Sequence, residues 1–426
     1  MRVAQVKWQR TKLAIAISFG LCSTVTTQAA QENQKIVEYK GIEKIEVTSQ
    51  KRIQSSQEVG IAITAFNGDE LREQGIHNPT DIDKVMPNFA VRNVGGGGVP
   101  VVIMRGIGLQ NFRINDSPTS SFYIDEVYQT SIASAEFSMY DLERLEVLMG
   151  PQGGLYGRNT IGGAIQIISA KPEVDGDFAG YVDLGVGSYS TKELEFGVNV
   201  PVSDKSAMRV SGRLDSSGDK DYYSTPNEVH HGEADRWGLR VQYLYQPTDK
   251  VELLFKVHGG NDDTELPLQR ALGIYNNIGD ATDLGAPNVS LGLLSGLFGA
   301  GSAGLCQSIL DGNGANASTC ATLTGVTPND YGLDENDKYT SATGGRLSFL
   351  ENEWIGASII ANIEFDWATL SSISAYDSID YFRYIDSDST IIEFQDIEYG
   401  SDISFYSQEI RFTSPGSDTF NWVIGA

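Results

Sequence analysis

The sequence predicts a small α/β domain followed by a series of long antiparallel β-strands that cross a membrane. Three observations lead to this fold class. Between Val59 and Lys171, short strand patterns such as PVVIMRGIG alternate with helix patterns such as NPTDIDKVMP. From residue 173 to residue 426, about nine segments of roughly ten residues alternate apolar and polar side chains. Glycine (46 residues), tyrosine (19) and phenylalanine (17) are abundant, which favours β structure with many turns.

The first thirty residues have the parts of an export signal. The basic residues are Arg2, Lys7, Arg10 and Lys12, the apolar stretch is Leu13–Val25, and Ala29 or Ala30 is the expected last residue of the signal. Loss of residues 1–30 removes four basic and no acidic residues, so the net charge changes from −25 to −29. A polyanion of that size is a poor nucleic-acid ligand, and we expect no nucleic-acid partner.

Two cysteines remain after the signal, Cys306 and Cys320. In an exported chain, two cysteines that close a short loop predict a disulfide bond. No histidine lies near them, so we expect no metal site there. The glycine-rich stretch Leu148–Ser169 contains neither Gly-Lys-Ser/Thr nor a complete GxGxxG, which argues against a nucleotide site. Its glycines instead indicate tight turns and strands that pass close to a surrounding wall.

The later strands have two chemically different faces. Trp237, Leu239 and Tyr243 alternate with Arg240 and Gln242 along one segment, a pattern typical of a membrane-spanning strand. A soluble β-sandwich shows the same alternation, but the strand lengths and the mixture of short turns and long links favour the membrane. Residues 261–344 are rich in Asn, Asp, Gly, Ser and Ala and predict a long extracellular loop region.

The edges of this predicted sheet raise a physical difficulty. About nine strands leave two open edges, and every unpaired backbone group in hydrocarbon costs several kcal/mol. The expectation is therefore that the chain is a truncated copy of a longer protein.

Several segments resemble one known family. VIMRGIG (Val102–Gly108), FYIDEVY (Phe122–Tyr128) and DLERLEVLMGPQGGLYGRNTIGGAIQIISAKP (Asp141–Pro172) are similar to the plug domain of TonB-dependent outer-membrane receptors. QEIRFTSPGSDTFNWVIGA resembles a barrel hairpin of the same family. The likeness covers about residues 42–426. It implies an α/β plug domain at 59–172, then an incomplete transmembrane antiparallel β-barrel at 173–426, with about 9 of roughly 22 strands.

The resemblance gives a role to IEKIEVTSQ, which lies within a predicted flexible segment at residues 31–58. The stretch 42–50 is similar to the TonB box, and its coupling residues would be Ile45, Glu46, Val47, Thr48 and Ser49. The implied partner is TonB with its inner-membrane energising complex, which would capture the segment as an added β-strand. Without the resemblance, the same stretch is an ordinary linker.

The resemblance also implies two further groups of residues in the plug. Arg105, Arg144 and Arg158 are candidates for ion pairs with acidic residues on the barrel wall, although Met149 stands where the family usually has another arginine. The alternative is that they are ordinary surface charges. The candidate ligand contacts on apical plug loops are Asn93, Gly96, Phe112 and Arg113, and the alternative is that these loops are plain turns.

The implied function is active, TonB-dependent import across the bacterial outer membrane, with no catalytic residues, no cofactor and no enzyme activity. The expected partners are TonB, outer-membrane lipid and an iron–siderophore chelate as the ligand. Cobalamin, a carbohydrate or another chelate is the alternative ligand. A passive porin and a secreted β-rich binding protein or hydrolase are the alternative functions.

Overall fold

The computed structural model describes residues 46–426 except 53, 56, 58, 94–99, 109–116, 132–137, 219, 270–339, 342, 344, 388–395 and 417–419. The chain divides into two compact units, Met1–Glu43 and Lys44–Ala426. The first unit, with the predicted export signal, lies outside the described residues. Every element below belongs to the second.

The first part of this unit is an α/β domain. Its elements are β1 (Glu46–Val47), β2 (Gln54–Ser55), β3 (Ile63–Asn67), α1 (Gly68–Glu73), a 3-10 helix (Pro79–Lys84), β4 (Phe89–Asn93), β5 (Pro100–Met104), β6 (Ile107–Gly108), β7 (Ser120–Ile124), β8 (Val127–Gln129), β9 (Leu142–Met149), α2 (Gly153–Tyr156) and β10 (Gly163–Ser169). The central sheet has the order β3-β9-β10-β7-β8, and β4-β5-β6 form a smaller sheet. β10 pairs in parallel with β7 and antiparallel with β9.

Local sequence explains where the two helices of this domain begin. The Asn67 side chain accepts a hydrogen bond from the Glu70 amide and starts α1. Asn78 and Asp81 form a capping box at the start of the 3-10 helix. The apolar side chains of both helices pack with the sheet strands in one core, which includes Leu71, Ile82 and Leu145.

The glycines of Leu148–Ser169 have the predicted steric role only in part, because the close approaches are within the α/β domain and not against the surrounding wall. A Cβ at Gly163 would clash with the Leu148 carbonyl oxygen and the Met104 sulfur. Gly157 has a φ of 74°, which strains any residue with a side chain. Gly163 therefore lies at a close approach within the α/β domain, whereas Gly157 is required by its backbone conformation and has open space around it.

The second part is a nine-stranded antiparallel sheet within the described residues. Its strands, in spatial order, are β11 (Ala179–Val186), β12 (Lys192–Ser203), β13 (Ser206–Ser217), β16 (Ala234–Thr248), β17 (Val251–Glu265), β19 (Phe349–Glu364), β20 (Thr369–Asp386), β21 (Asp396–Thr413) and β22 (Val423–Gly425). β14 (Lys220–Ser224), β15 (Val229–His231) and β18 (Thr340–Ser341) form a separate small sheet. β20 and β21 pair over their full length without a register shift. The loop that was predicted at 261–344 starts later than residue 261, because β17 continues through Glu265.

The two faces of the long sheet differ as predicted. Trp237, Leu239 and Tyr243 are 37–45% exposed on the outer face, whereas Arg240 and Gln242 are buried on the inner face, against the α/β domain. A β-sandwich would bury the aromatic face in a dry centre. The outward exposure of these apolar side chains is instead that of a lipid-facing barrel wall.

The strand connections also differ between the two ends of the sheet. At one end, β12–β13, β16–β17 and β19–β20 are joined by only two to four residues. Aromatic side chains gather at this short-turn end, where the Trp367 ring stacks on the rings of Phe412 and Trp422 at 5.8 and 6.3 Å. At the other, long-link end lie the connections around 218–233, 266–348 and 387–395. No helix in the described part of the chain is both long enough and apolar enough to span a membrane.

Candidate functional site: the docked N-terminal segment and the plug–wall contacts

The described part of the predicted coupling segment is docked on the α/β domain. Val47 pairs with Gln54 in the β1–β2 hairpin, and both Val47 and Ser49 are fully buried. The Thr48 amide donates to Glu146 Oε1 at 2.9 Å, and the Tyr156 hydroxyl donates to the Ser49 carbonyl oxygen at 2.8 Å. Residues 46–49 therefore do not form the free flexible strand that the sequence predicted, because the buried Glu146 carboxylate and the Tyr156 hydroxyl hold their backbone. Ile45 lies outside the described residues.

Two basic residues directly after this segment fix it to different partners. The Lys51 ammonium lies 3.2 Å from Glu126 Oε2 and 5.1 Å from the centre of the Tyr156 ring. Arg52 donates to Ser414 Oγ at 2.6 Å and to the Trp422 carbonyl oxygen at 2.8 Å, both in the turn between β21 and β22. Lys51 thus binds the α/β domain, and Arg52 binds the short-turn end of the wall.

The turn between β7 and β8 carries two adjacent carboxylates toward the wall. Asp125 and Glu126 have φ values of 50° and 67°, as both central residues of a type I′ hairpin turn must. Asp125 Oδ2 lies 2.9 Å from Lys256 Nζ, and Glu126 Oε2 lies 2.9 Å from Arg411 Nη2. Asp125 also accepts from the Ser169 amide at 2.7 Å. This acidic turn therefore connects β10, the coupling segment and two wall strands.

The environment of the acidic turn favours ionised carboxylates. Burial alone would raise the pKa of Asp125, but Lys256, Arg240 and the Ser169 amide together hold it well below its ordinary value. Burial likewise opposes the shift at Glu126, and Lys51 and Arg411 lower its pKa. The turn is therefore charged at neutral pH.

We expect the contribution of these two carboxylates to stability to be constant from pH 7 down to about pH 4, near their unfolded pKa values. It should then fall as the pH drops through the lower, folded-state pKa values, because protonation removes the ion pairs. Thermal unfolding of the purified protein between pH 3 and pH 7 tests this expectation. The Asp125→Asn/Glu126→Gln protein should show a shallower dependence, and identical slopes for the two proteins would contradict the assignment.

Asp141 makes the third acidic contact with the wall. Its carboxylate accepts two hydrogen bonds from Arg209, at 2.8 and 2.6 Å. Arg240 Nη2 donates to the Tyr140 and Asp141 carbonyl oxygens at 2.8 and 3.0 Å. The Asp141 amide in turn donates to Glu195 Oε1 on the wall at 3.0 Å. Asp141, which lies between β8 and β9, is thus bound to β12, β13 and β16.

None of the three predicted arginines forms an ion pair with the wall within the residues that the structure describes. Arg144 pairs with Glu143 and Glu146 of its own domain, and the Arg158 guanidinium lies over the Tyr128 ring of that domain, at 5.0 Å. The Arg105 amide donates to the Asn88 carbonyl oxygen at 2.8 Å. The described domain–wall pairs within 3 Å have the acid on the α/β domain and the base on the wall, whereas the longer Lys171–Glu252 pair, at 3.7 Å, has the opposite polarity. The sequence feature that could have predicted these pairs is FYIDEVY, because two adjacent acids in an apolar hairpin need cationic partners.

The other predicted residues are placed only in part. Asn93 ends β4, but its side chain is outside the described residues, as are Gly96, Phe112 and Arg113. Cys306 and Cys320 also lie outside them. The apical ligand contacts and the disulfide therefore stay predictions. Among the residues that the structure does describe, no group of three His, Cys, Asp or Glu could hold a metal ion.

Comparisons with known proteins agree with this architecture. Residues 55–164 match the TonB-dependent Receptor Plug Domain. The pesticin receptor of Yersinia enterocolitica is 29% identical over 162 residues, which are 38% of this chain and 23% of that protein. The ferripyoverdine receptor of Pseudomonas aeruginosa is 25% identical over 194 residues, which are 43% of this chain and 22% of that protein.

A solved structure shares the fold over a longer range. The ferric yersiniabactin uptake receptor FyuA from Yersinia pestis superposes with a TM-score of 0.63 at 19% identity, over 86% of this chain and 47% of that one. This chain thus spans less than half the length of each of these three proteins. Its α/β domain is a plug domain of the TonB-dependent receptor type, and its long sheet is part of the barrel that surrounds such a plug.

Proposed function

We propose that this chain, a TonB-dependent receptor plug followed by barrel strands, acts in active import of a ferric siderophore across the bacterial outer membrane. The observation that carries the proposal is the docking of residues 46–49 beneath the plug, next to the short-turn end of the barrel. Short turns face the periplasm in outer-membrane barrels, so the segment lies on the side from which TonB would bind it.

The contacts of the segment suit a reversible role. Besides the short β1–β2 hairpin, Thr48 and Ser49 are held by hydrogen bonds to Glu146 and Tyr156, which contribute about 1–3 kcal/mol each, with the bond to the carboxylate the stronger. A change in the plug on ligand binding would need to remove only a few of them to release the strand. TonB would then add to the segment by main-chain hydrogen bonds and pull on the plug, with energy from the inner-membrane complex.

The ferric siderophore as ligand follows from the relatives, whose names include ferripyoverdine and ferric yersiniabactin. Cobalamin, a carbohydrate or another chelate is the alternative ligand. A passive porin would have no use for a plug bound to the wall by buried ion pairs, and a secreted binding protein would not expose an apolar barrel face. Export by the predicted signal peptide and residence in the outer membrane belong to the same proposal. The proposed import includes no chemical reaction of the ligand.

Replacement of Val47 by Pro in the full-length protein should reduce siderophore-dependent iron uptake at least tenfold. Proline removes the Val47 amide and fixes φ, which prevents strand addition to TonB. Binding of the ligand to whole cells should stay unchanged. Val47→Ala is the matched control, since it keeps the amide, and it should retain most uptake. Normal uptake by the Val47→Pro protein would show that residues 46–49 are not the coupling segment.

A further inference from the structure

The outer face of β20 and β21 is polar, whereas that of β12, β13, β16, β17 and β19 is mainly apolar. Because these strands pair in register, outward side chains at the same height form rows across seven strands. One row consists of Val200, Met208, Tyr243, Phe255, Ile359, Ser374 and Gln408. Another, nearer the long-link end, consists of Phe196, Gly212, Leu239, Gly259, Ile355, Ser378 and Ser404. Both rows change from apolar residues or glycine to polar residues at β20.

The outward hydroxyl and amide groups of β20 and β21 form a polar strip, which consists of Ser372, Ser374, Ser378, Ser404 and Gln408. Ser374 Oγ donates to Gln408 Oε1 at 2.5 Å, and the Ser378 and Ser404 hydroxyls lie 3.2 Å apart. Both pairs are exposed. A serine hydroxyl both donates and accepts, so these contacts leave hydrogen-bonding capacity that points away from the sheet.

Two groups of aromatic rings mark the edges of the lipid-facing band on these strands. Trp367 and Phe412 stack at 5.8 Å at the short-turn end, and the rings of Phe349 and Phe382 lie 5.8 Å apart at the long-link end. Aromatic girdles of this kind lie at the two interfaces of an outer-membrane barrel. The polar strip lies between them, at the height of the hydrocarbon, which offers its groups no hydrogen-bond partner.

The polar strip ends in a row of three acidic residues at the long-link end. Glu353, Asp380 and Asp402 lie directly opposite one another on β19, β20 and β21, and all three are exposed on the outer face. None of them forms a salt bridge with a base among the described residues. Like charges in directly opposite positions destabilise a sheet, so this acidic row needs cations beside it.

The chemistry of the polar strip and the acidic row determines which neighbour fits them. Acyl chains offer no hydrogen bonds, and the acids would repel the phosphate groups of lipopolysaccharide. A second copy, related by a two-fold axis along the membrane normal, would place one acidic row against the other. We propose that the outer face of β20 and β21 binds a different integral outer-membrane protein, which presents hydroxyl or amide side chains to the polar strip and lysine or arginine to the acidic row. This inference rests on the proposed outer-membrane location but on neither TonB nor the ligand.

Photo-cross-linking in cells of the native host tests this contact. In the full-length protein, p-benzoylphenylalanine replaces Ser378, Ser404 or, as the matched control, Leu239. Leu239 belongs to the same row as Ser378 but lies three strands away, about 14 Å around the wall. Irradiation should join positions 378 and 404 to one and the same outer-membrane protein, which mass spectrometry identifies together with the linked peptide. Position 239 should give no such product.

Charge reversal distinguishes a specific partner from a chance neighbour. Asp380→Lys/Asp402→Lys should lower the yield of the cross-linked product at least tenfold, and reversal of the facing base of the partner to glutamate should restore it. Asp380→Asn/Asp402→Asn, which keeps the size of the side chains, should lower the yield in the same direction. Asp235→Lys/Asp263→Lys is the control, because these acids are also exposed and directly opposite each other, but on β16 and β17. It should leave the yield unchanged.

Several results would overturn the proposal. They are a product with lipopolysaccharide or with a second copy, an equal yield from position 239, the absence of any product, and a yield that both changes at Asp380 and Asp402 leave unaffected. Heat-modifiable electrophoretic mobility shows that the barrel of each variant is folded. Absence of the full-length protein from the outer-membrane fraction would instead contradict the proposed function, and TonB takes no part in the cross-linking, so the result is independent of the coupling test on Val47.

Discussion

Cells that produce the full-length protein with Lys256→Met and Arg411→Met are expected to become sensitive to large antibiotics that an intact outer membrane excludes. These two substitutions remove both wall partners of the Asp125–Glu126 turn. The carboxylates would remain half-buried with too little compensating charge, which destabilises the closed position although by less than the loss of one partner of a fully buried pair. The plug should then leave its closed position part of the time. The minimum inhibitory concentration of vancomycin measures the resulting leak.

Neutralising the acids provides the decisive comparison. Adding Asp125→Asn and Glu126→Gln to the same protein should restore most of the resistance, since no uncompensated charge is left against the wall. Lys171→Met is the matched control for loss of a base, because the Lys171–Glu252 pair is long, at 3.7 Å, and largely solvent-exposed. It should leave resistance unchanged. Full resistance in the Lys256→Met/Arg411→Met cells would show that the acidic turn does not hold the plug.

The sequence predicts the layers of this molecule well because they depend on short-range periodicity. Alternation with a period of two assigns Trp237 to the outer face and Arg240 to the inner face, and the structure confirms both. The same holds for the close backbone approach at Gly163, which follows from the excess of glycine in a strand-forming stretch. Each of these conclusions needs only residues that are near one another in the chain.

The plug–wall pairs could not be predicted in this way. Asp125 and Lys256 are 131 positions apart, and Glu126 and Arg411 are 285 apart. Their meeting depends on the register of every intervening strand and on which side of the plug faces which part of the wall. Period-two alternation along β17 puts Lys256 on the polar face of its strand, but it does not identify the partner of this lysine.

The Lys51→Met/Arg52→Gln protein is expected to bind the periplasmic domain of TonB about tenfold more tightly than the wild type does in the absence of ligand. Lys51 and Arg52 hold the end of the coupling segment to Glu126 and to Ser414, whereas TonB would contact residues 46–49. If the docked state is favoured before ligand binds, the apparent affinity for TonB is reduced by the fraction of molecules that are released. Weakening the docked state by about 1.4 kcal/mol raises that fraction tenfold.

A thiol at position 49 reports release of the segment directly. Ser49 is fully buried and its hydroxyl has no hydrogen-bond partner among the described residues, so Ser49→Cys should leave the docking contacts intact. Its reaction with a maleimide should be slow in the otherwise unaltered protein and about tenfold faster with Lys51→Met and Arg52→Gln. The same protein without Ser49→Cys gives the background from Cys306 and Cys320.

The effect of losing two positive charges has to be separated from the effect of losing the Lys51 and Arg52 contacts. Lys84→Met/Arg92→Gln removes one lysine and one arginine from the same plug, where they pair with Asp81 and Asp83 and not with Glu126 or Ser414. This control should match the wild type in TonB affinity and in labelling rate. If the control had the same TonB affinity and labelling rate as the Lys51→Met/Arg52→Gln protein, the overall charge of the plug would govern TonB binding, and the two contacts would not. If labelling accelerated without a gain in TonB affinity, loss of the Lys51 and Arg52 contacts would release residues 46–49, but these residues would not be the strand that TonB binds.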